Sequence, residues 1–147
     1  MEKIIPANVS EQFRSDYQRY GIYVTYRRIL ADMRDGLKPV QRRLIYTMLD
    51  IGATDHTVKS ATITGANMKL HPHGDAYLTL KPMTNWFECY LPLVTPQGNF
   101  GTFDGDPPSA DRYTEAKLSK FALEYVVGDL RDTPEAVDWE PNYDNTC

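Results

Sequence analysis

Phe13, Tyr17, Tyr20 and Val24 recur at intervals of three or four residues and predict a helix from Ser10 to about Leu30. Ser10 is placed to cap it, and Gly21 weakens it without stopping it. Asp35-Gly36 marks a turn, and Pro39 suits the first turn of a second helix. Val40, Leu44, Ile45, Met48 and Leu49 line one face of that helix, with Arg42 and Arg43 pointing away from the stripe. Gly52 is placed as its C-terminal stop. A third helix is expected from Lys59 to about Leu70. His71-Pro72-His73-Gly74-Asp75 then reads as a turn, because a residue before proline is pushed out of the helical region. Asp75 can cap a fourth helix beginning at Ala76, which Pro82 ends or kinks. Leu91 to Val94 reads as a short strand, and Gly98, Gly101, Gly105 and Pro107-Pro108 as a loop or hairpin beyond it. Glu115 to about Val127 reads as a last helix, with Ala116, Leu118, Phe121, Ala122 and Tyr125 on its apolar side.

The predicted fold is therefore α+β and mainly helical. The order helix, helix, helix, turn, helix, strand, hairpin matches a helix-turn-helix winged-helix domain with an N-terminal helix and a short β wing. We expect an N-terminal helical arm over 1–30 and the winged-helix domain over 31–128. The 147 residues are the length of one domain or slightly more, and a 41% hydrophobic content supports an ordinary core. No apolar run approaches the roughly 18 residues of a membrane span, and the N-terminus carries no apolar signal-peptide core. Cys89 and Cys147 form no close-spaced pair, which fits free thiols in a reducing cytoplasm.

Net charge is −4, which by itself does not suggest a polyanionic partner. Its distribution changes that picture. Arg27, Arg28, Arg34, Lys38, Arg42 and Arg43 cluster, while acids gather from Asp129 to Asp144. One basic face is expected, although a solvated charged helix has the same composition. His71 and His73 lack a third and fourth ligand at a zinc-site spacing, so no metal site is expected. No Gly-rich phosphate loop ending in Lys-Ser or Lys-Thr is present.

Three segments carry a family resemblance together: Arg34-Asp35-Gly36-Leu37-Lys38-Pro39-Val40-Gln41-Arg42-Arg43, then His71-Pro72-His73-Gly74-Asp75, then Gln97-Gly98-Asn99-Phe100-Gly101 leading to Arg112-Tyr113-Thr114-Glu115. In this order the chain resembles the breakage-reunion region of bacterial type II DNA topoisomerase A subunits, those of gyrase and topoisomerase IV alike, from about Ser10 to Asn145.

The resemblance implies transient DNA cleavage through a 5′-phosphotyrosyl bond at Tyr113. A phenol with an ordinary pKa near 10 is a weak nucleophile at neutral pH. It needs nearby cations to favour phenolate and to offset charge on the transferring phosphoryl group. Arg112 adjoins it, and by resemblance Arg28 and His71 assist at the same phosphate. Lys38, Arg42, Arg43 and His73 are the expected DNA contacts, with weak sequence preference and strong salt dependence. Read without the resemblance, the histidines suit a turn that caps helices. Arg42 and Arg43 then suit a solvated helix face, and Arg28 a helix-end cation near Asp32.

The implied partners are double-stranded DNA, a B subunit that binds Mg2+ and ATP, and a second copy in a homodimer. Residues 129–147 are expected to begin a tower domain. Two alternatives remain on sequence grounds: a non-catalytic winged-helix DNA-binding module, or a decoy that binds B subunits. The chain also departs from the family pattern. Thr62 stands where an arginine is common, and Pro96 where a glycine is usual. Ala76 stands in place of a serine, and Thr79 or Leu80 in place of an acid, so the pair that anchors quinolone drugs in the family is missing.

Overall fold

The computed structural model describes residues 8–33, 35–72 and 76–128. The expectations placed on Arg34, His73, Asp75 and residues 129–147 lie outside the described residues. The chain divides into two compact units, Met1–Lys38 and Pro39–Cys147.

The first unit is built on helix α1, Val9–Val24, continued by a wider helical turn over Thr25–Ile29. The cap is Asn8 rather than Ser10: the Asn8 side chain accepts a 3.0 Å hydrogen bond from the Ser10 amide. Asn8 is extended (φ −83°, ψ 114°), the conformation a cap needs, whereas Ser10 already lies inside the helix. The aromatic stripe of this helix is exposed at Phe13, Tyr17 and Tyr20.

The second unit is an α+β fold of winged-helix type. Its elements are helix α2 (Pro39–Asp50), strand β1 (Val58–Lys59), helix α3 (Ser60–Leu70), helix α4 (Ala76–Leu80), and strands β2 (Val94–Gln97) and β3 (Glu115–Leu118). Helices α2, α3 and α4 pack on one another. The strands form an antiparallel sheet in the order β1-β3-β2. Leu44, Ile45 and Met48 from α2, Ile63 from α3 and Leu80 from α4 are fully or almost fully buried, with Val94 and Leu118 from the sheet. Each such side chain contributes about 1.5–3 kcal/mol on burial.

Gly52 ends α2 as the sequence predicts. It sits at φ +73°, its amide bonds Leu49 O at 3.1 Å, and the Ala53 amide bonds Met48 O at 2.8 Å. That pair of bonds is the Schellman termination of a helix. Ala53 then accepts from the Leu118 amide at 2.8 Å, so the end of α2 is tied directly to the central strand.

Four expectations are corrected. Arg43 does not point away from the α2 core: it is 7% exposed. It lies one helical turn before buried Thr47, so the buried face is wider than the apolar residues alone define. The strand expected at Leu91–Val94 lies at Val94–Gln97. The helix expected from Glu115 begins instead as β3, followed by a wide helical turn over Ala122–Val126. Ala116 and Leu118 are buried between half-buried Glu115 and Lys117, a period of two that belongs to a strand. Finally, Lys59 is a strand residue, and the third helix starts at Ser60.

The register is fixed by polar side chains as well. Lys59 and Glu115 are cross-strand partners, joined by a 2.8 Å ion pair. Thr57 Oγ1 donates to Glu115 Oε2 at 2.7 Å. The Lys59 hydrogen bond, helped by that of Thr57, holds the Glu115 carboxyl below its ordinary value of 4.5. The charged form is favoured in the folded state, so its stabilisation is present above that ordinary value and is lost as pH falls through the lower folded one. Glu115→Gln is therefore expected to melt below the parent protein at neutral pH, with the gap closing in acid. Parallel melting curves across the whole pH range would contradict this. Gly52→Ala, at a left-handed position with open space around it, is expected to cost about 1 kcal/mol, read as a lower urea midpoint with an unchanged denaturant slope.

Candidate functional site

A single 3₁₀ turn, Asp111–Tyr113, carries the tyrosine that the sequence singles out. The turn closes on a 2.9 Å bond from the Tyr113 amide to Ala110 O. Beyond it the chain becomes extended at Thr114 (φ −107°, ψ 154°) and enters β3. Thr114, adjoining β3, is 0% exposed, whereas Tyr113, the last residue of the turn, is 67% exposed. The phenol is therefore presented to solvent, from a backbone whose next residue is buried.

Arg112 is exposed as well, and its guanidinium carbon stands 4.9 Å from the centroid of the Tyr113 ring. At that distance the cation interacts with the face of the ring, an attraction of about 0.5–1 kcal/mol at an exposed site.

The ground beneath the turn is polar and buried. Thr114 Oγ1 lies 2.8 Å from Ser60 Oγ and 3.0 Å from the Tyr77 hydroxyl. The Tyr77 hydroxyl donates its one proton to Ser109 O at 2.8 Å. The Ser60 amide, the first of α3, bonds Thr114 O at 2.9 Å. It thereby satisfies one of the amides that a helix start leaves without an intrahelical partner. Wing residue Gly98 approaches the same place: a Cβ built there would stand 3.3 Å from Tyr113 O, and its φ of +100° disfavours any side chain. Ser60, Tyr77 and Gly98 were not foreseen as parts of the site. Tyr77 is one tyrosine among ten, and only the fold shows its hydroxyl under this turn.

The other expected residues fall as follows. His71 follows α3 in an extended conformation and bonds Asn67 O through its amide at 3.3 Å. It stands roughly 16 Å along the helix axis from Ser60, whereas Thr114 is bonded at the Ser60 end. Arg42 is half-buried on α2, and Arg43 is buried there. Arg28 and Lys38 belong to the first unit. Arg28 lies in the wide turn after α1, and Lys38 is exposed immediately before Pro39. Among the described residues, no three His, Cys, Asp or Glu side chains converge to hold a metal ion. No described helix is long and apolar enough to cross a membrane.

Comparison with known proteins identifies the family of the chain. The chain is 44% identical over 99% of its length to the DNA gyrase A subunit of Deinococcus deserti, 47% over 99% to that of Chlamydia pneumoniae and 43% over 99% to that of Pseudomonas aeruginosa. It spans 18%, 18% and 16% of those relatives. The family model for the A subunit of DNA gyrase/topoisomerase IV matches residues 28–147, a stretch that includes the Arg112-Tyr113-Thr114-Glu115 segment. With four-fifths of its residues inside that model and whole-chain relatives well above 40% identity, the chain belongs to the family of DNA gyrase and topoisomerase IV A subunits.

Proposed function

We propose that this chain is the DNA-cleaving part of a type II topoisomerase A subunit, with Tyr113 as nucleophile. The observation that carries the reading is a solvent-presented phenol on a braced turn, with a guanidinium over its ring. In the step itself, the Tyr113 oxygen attacks a backbone phosphorus. A Tyr–O–P bond forms to the 5′ side, the P–O3′ bond breaks, the phenol gives up its proton and the 3′ oxygen gains one. One phosphodiester replaces another, so the bond energy is kept and the 3′ hydroxyl can reverse the step without external energy. Arg112 offsets the charge that builds on the phosphoryl oxygens.

Lys38 and Arg42 supply contacts to the DNA backbone, and such contacts carry little sequence information. By family resemblance, Arg28 and His71 are assigned to assist at the cleaved phosphate and His73 to contact DNA. Arg43 is left out of the contact set because it is buried. Mg2+ and ATP are assigned to a B subunit, in keeping with family membership. The working compartment on this reading is the cytoplasm.

The test is to combine the protein with B subunit, divalent metal and supercoiled plasmid, and then to denature with detergent. Covalent protein–DNA adducts are expected from the parent chain and abolished in Tyr113→Phe. DNA binding unaffected by Tyr113→Phe, with no adduct from either protein, would instead identify a non-catalytic binding module. Capture of B subunit without any DNA affinity would identify a decoy.

A further inference from the structure

An exposed tyrosine cannot be aimed by its own packing. The Tyr113 ring contacts Arg112, itself an exposed side chain, so the direction of the phenol oxygen is set by the backbone of the turn. Both flanks of that turn converge on one buried hydroxyl. Tyr77 Oη donates to Ser109 O at 2.8 Å on the incoming side and lies 3.0 Å from Thr114 Oγ1 on the outgoing side. Residues 110–113 are thus closed into a loop whose neck is held by a single side chain of α4. Thr114 Oγ1 carries the tie onward to Ser60 Oγ at 2.8 Å and reaches back to Asp111 O at 3.4 Å. Ser109 is held from the wing as well, its amide bonding Asn99 O at 3.0 Å.

These hydroxyls are costly to place. Tyr77 is 8% exposed, and Thr114 and Ser60 are 0% exposed, so each polar atom must find its partners inside the protein. For stability alone, an apolar contact of the same shape serves as well or better. What a hydrogen-bonded neck adds is direction: a phenylalanine or valine would fill the same space and leave the turn free to shift against α3 and α4.

We propose that Tyr77 and Thr114 are positioning residues that aim Tyr113, through the hydroxyl pair that clamps the neck of its turn. This rests on Tyr113 being the nucleophile as proposed above. Positioning errors of about 1 Å cost on the order of 100-fold in rate, which sets the scale of the expected effect.

The test uses this protein with B subunit, metal and DNA, in the variants Tyr77→Phe, Thr114→Val and Thr114→Ser. At saturating DNA, the single-turnover rate of adduct formation is expected to fall by about 10- to 100-fold in Tyr77→Phe and Thr114→Val. DNA affinity is expected to hold, and Thr114→Ser, which keeps the hydroxyl, to restore most of the rate. Amide hydrogen exchange on the same proteins without DNA gives an independent reading. The Tyr113 amide, bonded to Ala110 O, should exchange faster in both hydroxyl-deleted variants, while the Leu118 amide, bonded to Ala53 O, keeps its protection. Unchanged exchange at Tyr113, an unchanged cleavage rate, or a Thr114→Ser variant as slow as Thr114→Val would overturn the positioning role. Loss of protection at Leu118 as well would reduce it to a general folding role. A parent protein whose adducts persist in Tyr113→Phe would overturn the nucleophile assignment itself, a result that the exchange measurement cannot mimic.

Discussion

A side chain that must reach out to a large anionic partner gives up the contacts that would hold it still. On the proposed function Tyr113 stands at that limit, and its neighbour resolves the conflict. The 3₁₀ turn leaves Tyr113 outward, while Thr114 is turned inward and gripped by Ser60 and Tyr77. Helix α3, helix α4 and the wing all converge on one residue, and the residue before it is left free to act. The rest of the second unit follows from this arrangement. The central strand β3 continues directly from Thr114 and is paired on both sides, so the outgoing chain cannot drift. The Lys59–Glu115 pair fixes which residues face each other at the start of that strand. Gly98, at φ +100°, leaves free the space beside the Tyr113 carbonyl that a Cβ would crowd.

Charge is organised on the same local scale. The molecule as a whole is acidic, so long-range attraction to DNA does not come from its net charge. On the proposed function that attraction falls to cations placed at particular points: Arg112 over the Tyr113 ring, and Lys38 and Arg42 before and within α2. An acid of the preceding loop is engaged by a neighbouring hydroxyl. Asp106 accepts from Thr102 Oγ1 at 3.2 Å while its amide bonds the same hydroxyl at 3.1 Å. On that reading, an exposed phenol beside an exposed cation, in a chain of net negative charge, suits binding that is local and salt-dependent.

Much of this was legible from the residues. The α2 start at Pro39 and its end at Gly52 follow from proline and glycine geometry, and the structure reproduces both. The fourth helix begins at Ala76 and is over before Pro82. The Arg-Tyr-Thr-Glu segment lies within the stretch that the family model matches. The failures have a common cause. Ala116, Leu118, Phe121, Ala122 and Tyr125 fit a helical face, and only pairing with β2, distant in sequence, makes Glu115–Leu118 a strand. Arg43 looked like a surface cation because charge marks exposure on average, yet helix packing decides each case. The hydroxyl cluster was invisible because Ser60, Tyr77 and Thr114 are far apart in sequence. Nothing in a lone serine or tyrosine announces which buried carbonyl it will meet.

The central claim is that one oxygen atom, that of Tyr113, takes up the DNA end. The most direct measurement is to trap the covalent complex, trim it with nuclease and protease, and locate the remaining nucleotide by mass spectrometry. The nucleotide is expected on the peptide containing Tyr113, joined through its 5′ phosphate. Recovery of the nucleotide on another exposed tyrosine, such as Tyr20 or Tyr125, or through a 3′ phosphate, would contradict the assignment.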